Sequence, residues 1–169
     1  MKQYAYLIMF IALSVVGAFI KIPAYISSVA LDSFSALVAA VVLGPVAGAV
    51  AAFFGHIMSS YLAGSPLGAF HAMIAVEMFL LVWAFGVIYR KNKYAAAVFF
   101  FIANGFLAAV PFSFLIGKGF YFGLLPGLVI GTAINLMIGH IVTIKLVPIL
   151  EKQKGVHRHE RRYHDSDIK

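Results

Sequence analysis

The sequence predicts an all-α integral membrane protein of five or six helices. Three observations carry that prediction. Of 169 residues, 63% are hydrophobic and only 11% are charged, against roughly 45–50% and about 25% in soluble domains. Long runs carry no formal charge at all, including residues 33–70, 94–116 and 119–144. The basic residues gather at the ends of such runs, as the positive-inside rule requires of cytoplasmic loops.

The elements follow in chain order. Residues 4–20 are apolar, lack a signal-peptide cleavage pattern, and read as a first membrane helix. Pro23 and the Ser27-Ser28 pair then interrupt the helical pattern, marking a connection at the membrane surface. Gly44-Pro45 divides the next uncharged stretch, because Gly ends a helix and Pro begins one. The piece before it, residues 32–43, spans about 18 Å as a helix, too short to cross alone. The piece after it, 46–62, is long enough. A Gly64-Ser65-Pro66 turn precedes an apolar run over 67–89 that contains Glu77, and residues 94–116 and 119–144 supply two further helices. Whether 33–62 is one kinked helix or two decides between five and six. The charge count does not choose: both arrangements place eleven Lys/Arg inside and two outside. It does place the 90–93 loop and the C-terminus in the cytoplasm.

Residues 1–150 form the membrane domain, and 151–169 read as a basic, disordered cytoplasmic tail. The net charge of +7 belongs to these loops and the tail, with no soluble basic domain to hold a nucleic acid. Cysteine is absent, which excludes disulfides, thiolate metal sites and a cysteine nucleophile. No phosphate-binding P-loop, H-E-x-x-H or G-x-S-x-G pattern occurs. The histidines of the 157–164 tail are ligands by type, but a solvated, lipid-attracted basic tail is the simpler reading. No metal or cofactor is expected.

Small residues recur at helical spacing: Gly48, Ala52, Gly55 and Ser59, then Gly127, Gly131, Asn135 and Gly139. Such stripes let helix backbones approach in lipid. Ser14 and Ala18 make a similar pair on the first helix, facing either inward or a partner protein.

Polar groups at membrane depth face a cavity or a partner. The candidates are Asp32, His56, His71, Glu77, Asn104, Asn135 and His140. Each has a plainer alternative. Asp32 could cap a helix, Glu77 could pair internally, His56 could be a satisfied internal histidine, and the asparagines could bridge helices. His140 and Lys145 lie near the cytoplasmic end of the last helix and are assigned no site role. Seven such groups exceed what packing needs. A polar cavity for a small molecule accounts for them, with Tyr25 and Trp83 as stacking walls.

Residues 30–78 carry a resemblance. Asp32-Ser33 opening a short helix, Leu43-Gly44-Pro45, Gly55-His56, the turn at 64–67, and His71 followed by Glu77-Met78 resemble the substrate-binding S components of energy-coupling factor (ECF) vitamin transporters. The resemblance implies six helices, the second short, with both termini cytoplasmic. It also implies a ligand cavity near the outer face, a membrane-embedded T component, and two cytosolic ATPases that supply the hydrolysis. Ser14 and Ala18 would then be the contact with the T component. The same marks look most like the α-ribazole branch, whose ligand is a benzimidazole nucleoside. Riboflavin, pantothenate and a queuosine precursor are the alternatives. A small intramembrane enzyme using His56, His71 and Glu77 is the competing class.

Overall fold

The computed structural model describes residues 2–23 and 28–166. Helix α1 (Lys2–Ala18) leads into a short antiparallel hairpin, β1 (Lys21–Pro23) and β2 (Ser28–Ala30), pairing Lys21 with Ala30. The hairpin occupies the predicted surface connection. Then come α2 (Ser33–Val42), α3 (Pro45–Leu62) and α4 (Phe70–Tyr89). Gly44 joins α2 to α3 at φ 112°, a value that favours glycine, and Pro45 sits in the first turn of α3. Asn92 caps α5 (Lys93–Ile102), its Oδ1 accepting from the Tyr94 and Ala95 amides at 2.9 and 3.0 Å.

The fifth apolar run is not one regular helix. Past α5 the backbone widens into a π segment (Ala103–Leu107), where the Ala108 amide donates to the Ala103 carbonyl five residues back at 2.8 Å. It resumes as α6 (Val110–Leu115), with Pro111 in the first turn. Pro111 has no amide to offer the preceding turn, so the regular hydrogen-bond ladder breaks there. After Gly117, α7 runs over Lys118–Ser166. Its backbone stays helical through 151–166, a stretch that charge alone marks as a solvated tail. Lys and Gln propagate a helix well once it is nucleated.

Among the described residues the fold is therefore helical apart from one small hairpin. Among the described residues, four helical stretches are long and apolar enough to cross a membrane: Pro45–Leu62, Phe70–Tyr89, Lys93–Leu115 and Lys118–Leu150. The core joins Phe10, Ala36–Ala40, Val82, Phe85 and Phe100. The outer surface is apolar too, with Phe114 84%, Tyr61 74% and Phe122 64% exposed. Facing water, such a surface would be a severe liability. A lipid-facing bundle carries it without cost.

Helix α2 explains the arrangement. It contacts α1, α3, α4 and α7, and seven of its ten residues are buried. Ten residues make about 15 Å of helix, half of a bilayer's hydrocarbon core. The longer helices sheathe it. The small-residue stripes provide the close contacts: Gly127, Gly131, Asn135 and Gly139 are all buried. A Cβ on Gly86 would lie 2.9 Å from Pro45 Cα, so α4 and α3 touch nearly backbone to backbone.

The Ser14–Ala18 stripe also turns inward. Ser14 is 1% exposed, and its hydroxyl hydrogen-bonds the Ser35 hydroxyl of α2. A Cβ on Gly55 would lie 2.6 Å from Ser14 Cβ. Ala18 is buried as well. These two residues therefore pack the chain against itself and offer no surface to a T component. The outward face of α1 carries bulky groups instead, including Ile8, Met9 and Val16.

Candidate functional site

A cavity of about 210 Å³ lies between the start of α2, the ends of α3 and α4 that adjoin the 63–69 turn, the π segment and α7. Asp32, His56, His71, Glu77, Asn104 and Asn135 all line it. Ile74, Met78, Phe112, Leu124 and Leu128 supply apolar wall. The six polar positions predicted from sequence thus meet at one place. Trp83 does not join them. It is 44% exposed on the outer side of α4 and is absent from the lining. Six residues separate it from Glu77, and at about 100° per residue that turns it roughly 120° off the Glu77 direction. Tyr25 lies outside the described residues.

Asp32 stands at the N-cap of α2, but its side chain makes no capping bond. Asn135 of α7 does that work: its Oδ1 accepts the Phe34 amide at 2.8 Å, while its Nδ2 donates to the Gly131 carbonyl at 2.9 Å. One of the exposed donors at the helix start is thereby satisfied from a distant helix. The Asp32 carboxylate is released to turn into the cavity. There it accepts the Ser33 hydroxyl at 3.2 Å and lies 3.3 Å from the Ser59 hydroxyl, which also reaches the His56 carbonyl at 3.0 Å. His56 Nδ1 lies 3.5 Å from Asp32 Oδ2.

The two histidines form a directed chain. The Leu67 amide can only donate, and it points at His71 Nε2 at 3.3 Å. A neutral His71 then carries its proton on Nδ1, which faces His56 Nε2 at 3.3 Å. His56 Nε2 must accept, so its own proton sits on Nδ1 and faces Asp32. A single backbone donor thus fixes both tautomers. The chain ties the turn between α3 and α4 to the start of α2. That turn needs unusual backbone, with positive φ at Gly64 (83°), Ser65 (47°) and Gly68 (56°).

Asn104 enters from the π segment. Its Nδ2 donates to Thr132 Oγ1 at 2.7 Å, and Thr132 donates to the Leu128 carbonyl at 2.7 Å. Widened turns of this kind are frequent at functional sites, because they re-aim one side chain. Glu77 differs from the rest: its Oε2 is buried and has no hydrogen-bond partner among the described residues.

Ser33, Ser59 and Thr132 also line the cavity and are not among the candidates that the sequence reading assigns to it. The signal was available, since Ser59 lies three residues from His56 and Thr132 three from Asn135, the spacing of one helix face. Asp32-Ser33 stood as an adjacent pair. His140 lines a different cavity of about 180 Å³ with Tyr89, Lys93 and Tyr94. Among the described residues, no cluster of three or more His, Asp or Glu side chains could hold a metal ion. Chemically, the first cavity combines carboxylate, amide, hydroxyl and imidazole groups with an apolar wall. No family model and no curated protein matches the chain, so the meaning of the site rests on this geometry alone.

Proposed function

We propose that the protein is the substrate-binding S component of an ECF-type importer, taking a vitamin or vitamin precursor from the outer face. The observation that carries this reading is the convergence of six costly polar side chains from α2, α3, α4, the π segment and α7 on one small cavity. Packing alone asks for no such convergence, whereas a small polar ligand does. The benzimidazole nucleoside α-ribazole fits the residue types: apolar walls for the base, and Asp32, Glu77 and the asparagines for ring nitrogens and ribose hydroxyls. In this reading the chain makes six spans with both termini cytoplasmic. A T component and two ATPases supply the motor, and the T component docks on surfaces other than Ser14 and Ala18.

A binding role also suits the histidine chain. It ends on a backbone amide, and His56 turns Nε2 to His71 and Nδ1 to Asp32. The experiment is mass spectrometry of small molecules released by denaturing the purified protein, followed by titration of the identified compound. A copurified vitamin or nucleoside that rebinds supports the proposal. Chemical turnover of the added compound by this chain alone would replace it with an enzyme.

A further inference from the structure

We infer that the cavity selects a ligand with a cationic or protonatable nitrogen, which Glu77 receives, and discriminates against anions. The inference rests on the ligand-binding reading above and goes on to name the chemistry of the ligand.

The lining contains two carboxyl groups, Asp32 and Glu77, and no lysine or arginine among the described residues. The Leu67 amide donates to His71 Nε2, which makes that nitrogen an acceptor and occupies it within the protein. The lining's donors are largely committed within the protein. Ser33 and His56 point to Asp32, Ser59 to Asp32 and the His56 carbonyl, Asn104 to Thr132, and Asn135 to Gly131. Asp32 is thus a satisfied organiser. What remains is acceptor capacity, and the clearest instance is Glu77 Oε2, buried without a partner.

A buried acceptor of this kind is costly until a donor reaches it. A ligand seated in the cavity that Glu77 lines supplies that donor, through an N–H group or a positively charged ring. A carboxylate or phosphate would meet two acidic groups in a low-dielectric space with no lysine or arginine opposite among the described residues. The volume, about 210 Å³, lies below the roughly 300–1,000 Å³ of drug-sized sites, so the ligand is small. A weakly basic heterocycle meets all of these conditions. Among the ligands considered above, α-ribazole and an amine-bearing queuosine precursor satisfy them, and the carboxylate of pantothenate does not.

The test uses the full-length protein in detergent, stripped of copurified ligand, and calorimetric titration with four probes. These are thiamine as a permanent cation, the dimethylbenzimidazole riboside as a weak base, riboflavin as a neutral flavin, and pantothenate as an anion. The expected result is tightest binding by one of the two basic probes. Pantothenate should bind at least about 100-fold more weakly, and E77Q should weaken the basic probe by roughly 10- to 100-fold. Pantothenate or riboflavin binding tightest overturns the inference while leaving the importer reading intact. So does a folded E77Q that binds the basic probe within about twofold of wild type. If E77Q fails to fold, the charge ranking of the four probes on wild type decides alone. Failure of all four probes, with no copurified small molecule, overturns the importer reading and this inference together.

Discussion

Replacing Ser14 with Leu separates a helix turned inward from one offered to a partner. Ser14 is 1% exposed and hydrogen-bonds Ser35 of α2. Across from it, Gly55 leaves so little room that even a Cβ there would stand 2.6 Å from Ser14 Cβ. A leucine has no space without pushing α1 off α2 and α3. Overpacking a tight core costs about 1–3 kcal/mol, and the lost hydrogen bond adds about 0.5–1.5 kcal/mol. Ser14→Leu should therefore lower the unfolding free energy by about 2–4 kcal/mol. Ser14→Ala, which removes only the hydrogen bond, should cost about 1 kcal/mol. Ala12→Leu, on the exposed face of α1, should stay within about 0.5 kcal/mol of wild type. Denaturant titration in mixed micelles measures all three. If Ser14→Leu matched Ala12→Leu in stability, α1 would not be packed as described, and its small residues would again be available to a partner.

Three further outcomes follow from the cavity. Asn104→Ala removes one neutral hydrogen-bonding group but leaves Thr132 bonded to Leu128; ligand affinity should fall roughly fivefold by titration, at about 1 kcal/mol. His71→Phe leaves the Leu67 amide without its acceptor, so hydrogen exchange over residues 64–69 should quicken while that of α5 does not. Trp83→Leu should leave ligand affinity within about twofold of wild type, because Trp83 faces away from the cavity; a larger loss would restore it as a wall of the site.

The sequence alone was enough to read the membrane class, most helix ends and the polar site candidates. Those properties are written locally. Apolar runs mark helices that lipid will solvate, Gly44-Pro45 marks a break, and an isolated Asp, Glu or His in such a run is costly wherever the chain goes. The direction in which a helix faces is not local. Ser14 and Ala18 fit a packing stripe equally well whether the neighbour is α2 of the same chain or another protein, and only the position of Gly55 and Ser35 decides it. Trp83 reads from sequence as a stacking wall, and the turn of α4 carries it roughly 120° away from Glu77. The role of Asp32 was open for the same reason. Its position at the head of α2 is legible, but its side chain is free to organise the cavity because Asn135, 103 residues away along the chain, takes over the cap. The protonation pattern of the histidines depends on the Leu67 amide, which reaches His71 only once the turn has folded back. Composition and spacing say which groups must find partners, and tertiary structure decides which partners they find, because hydrogen bonds and backbone contacts act only over a few ångströms.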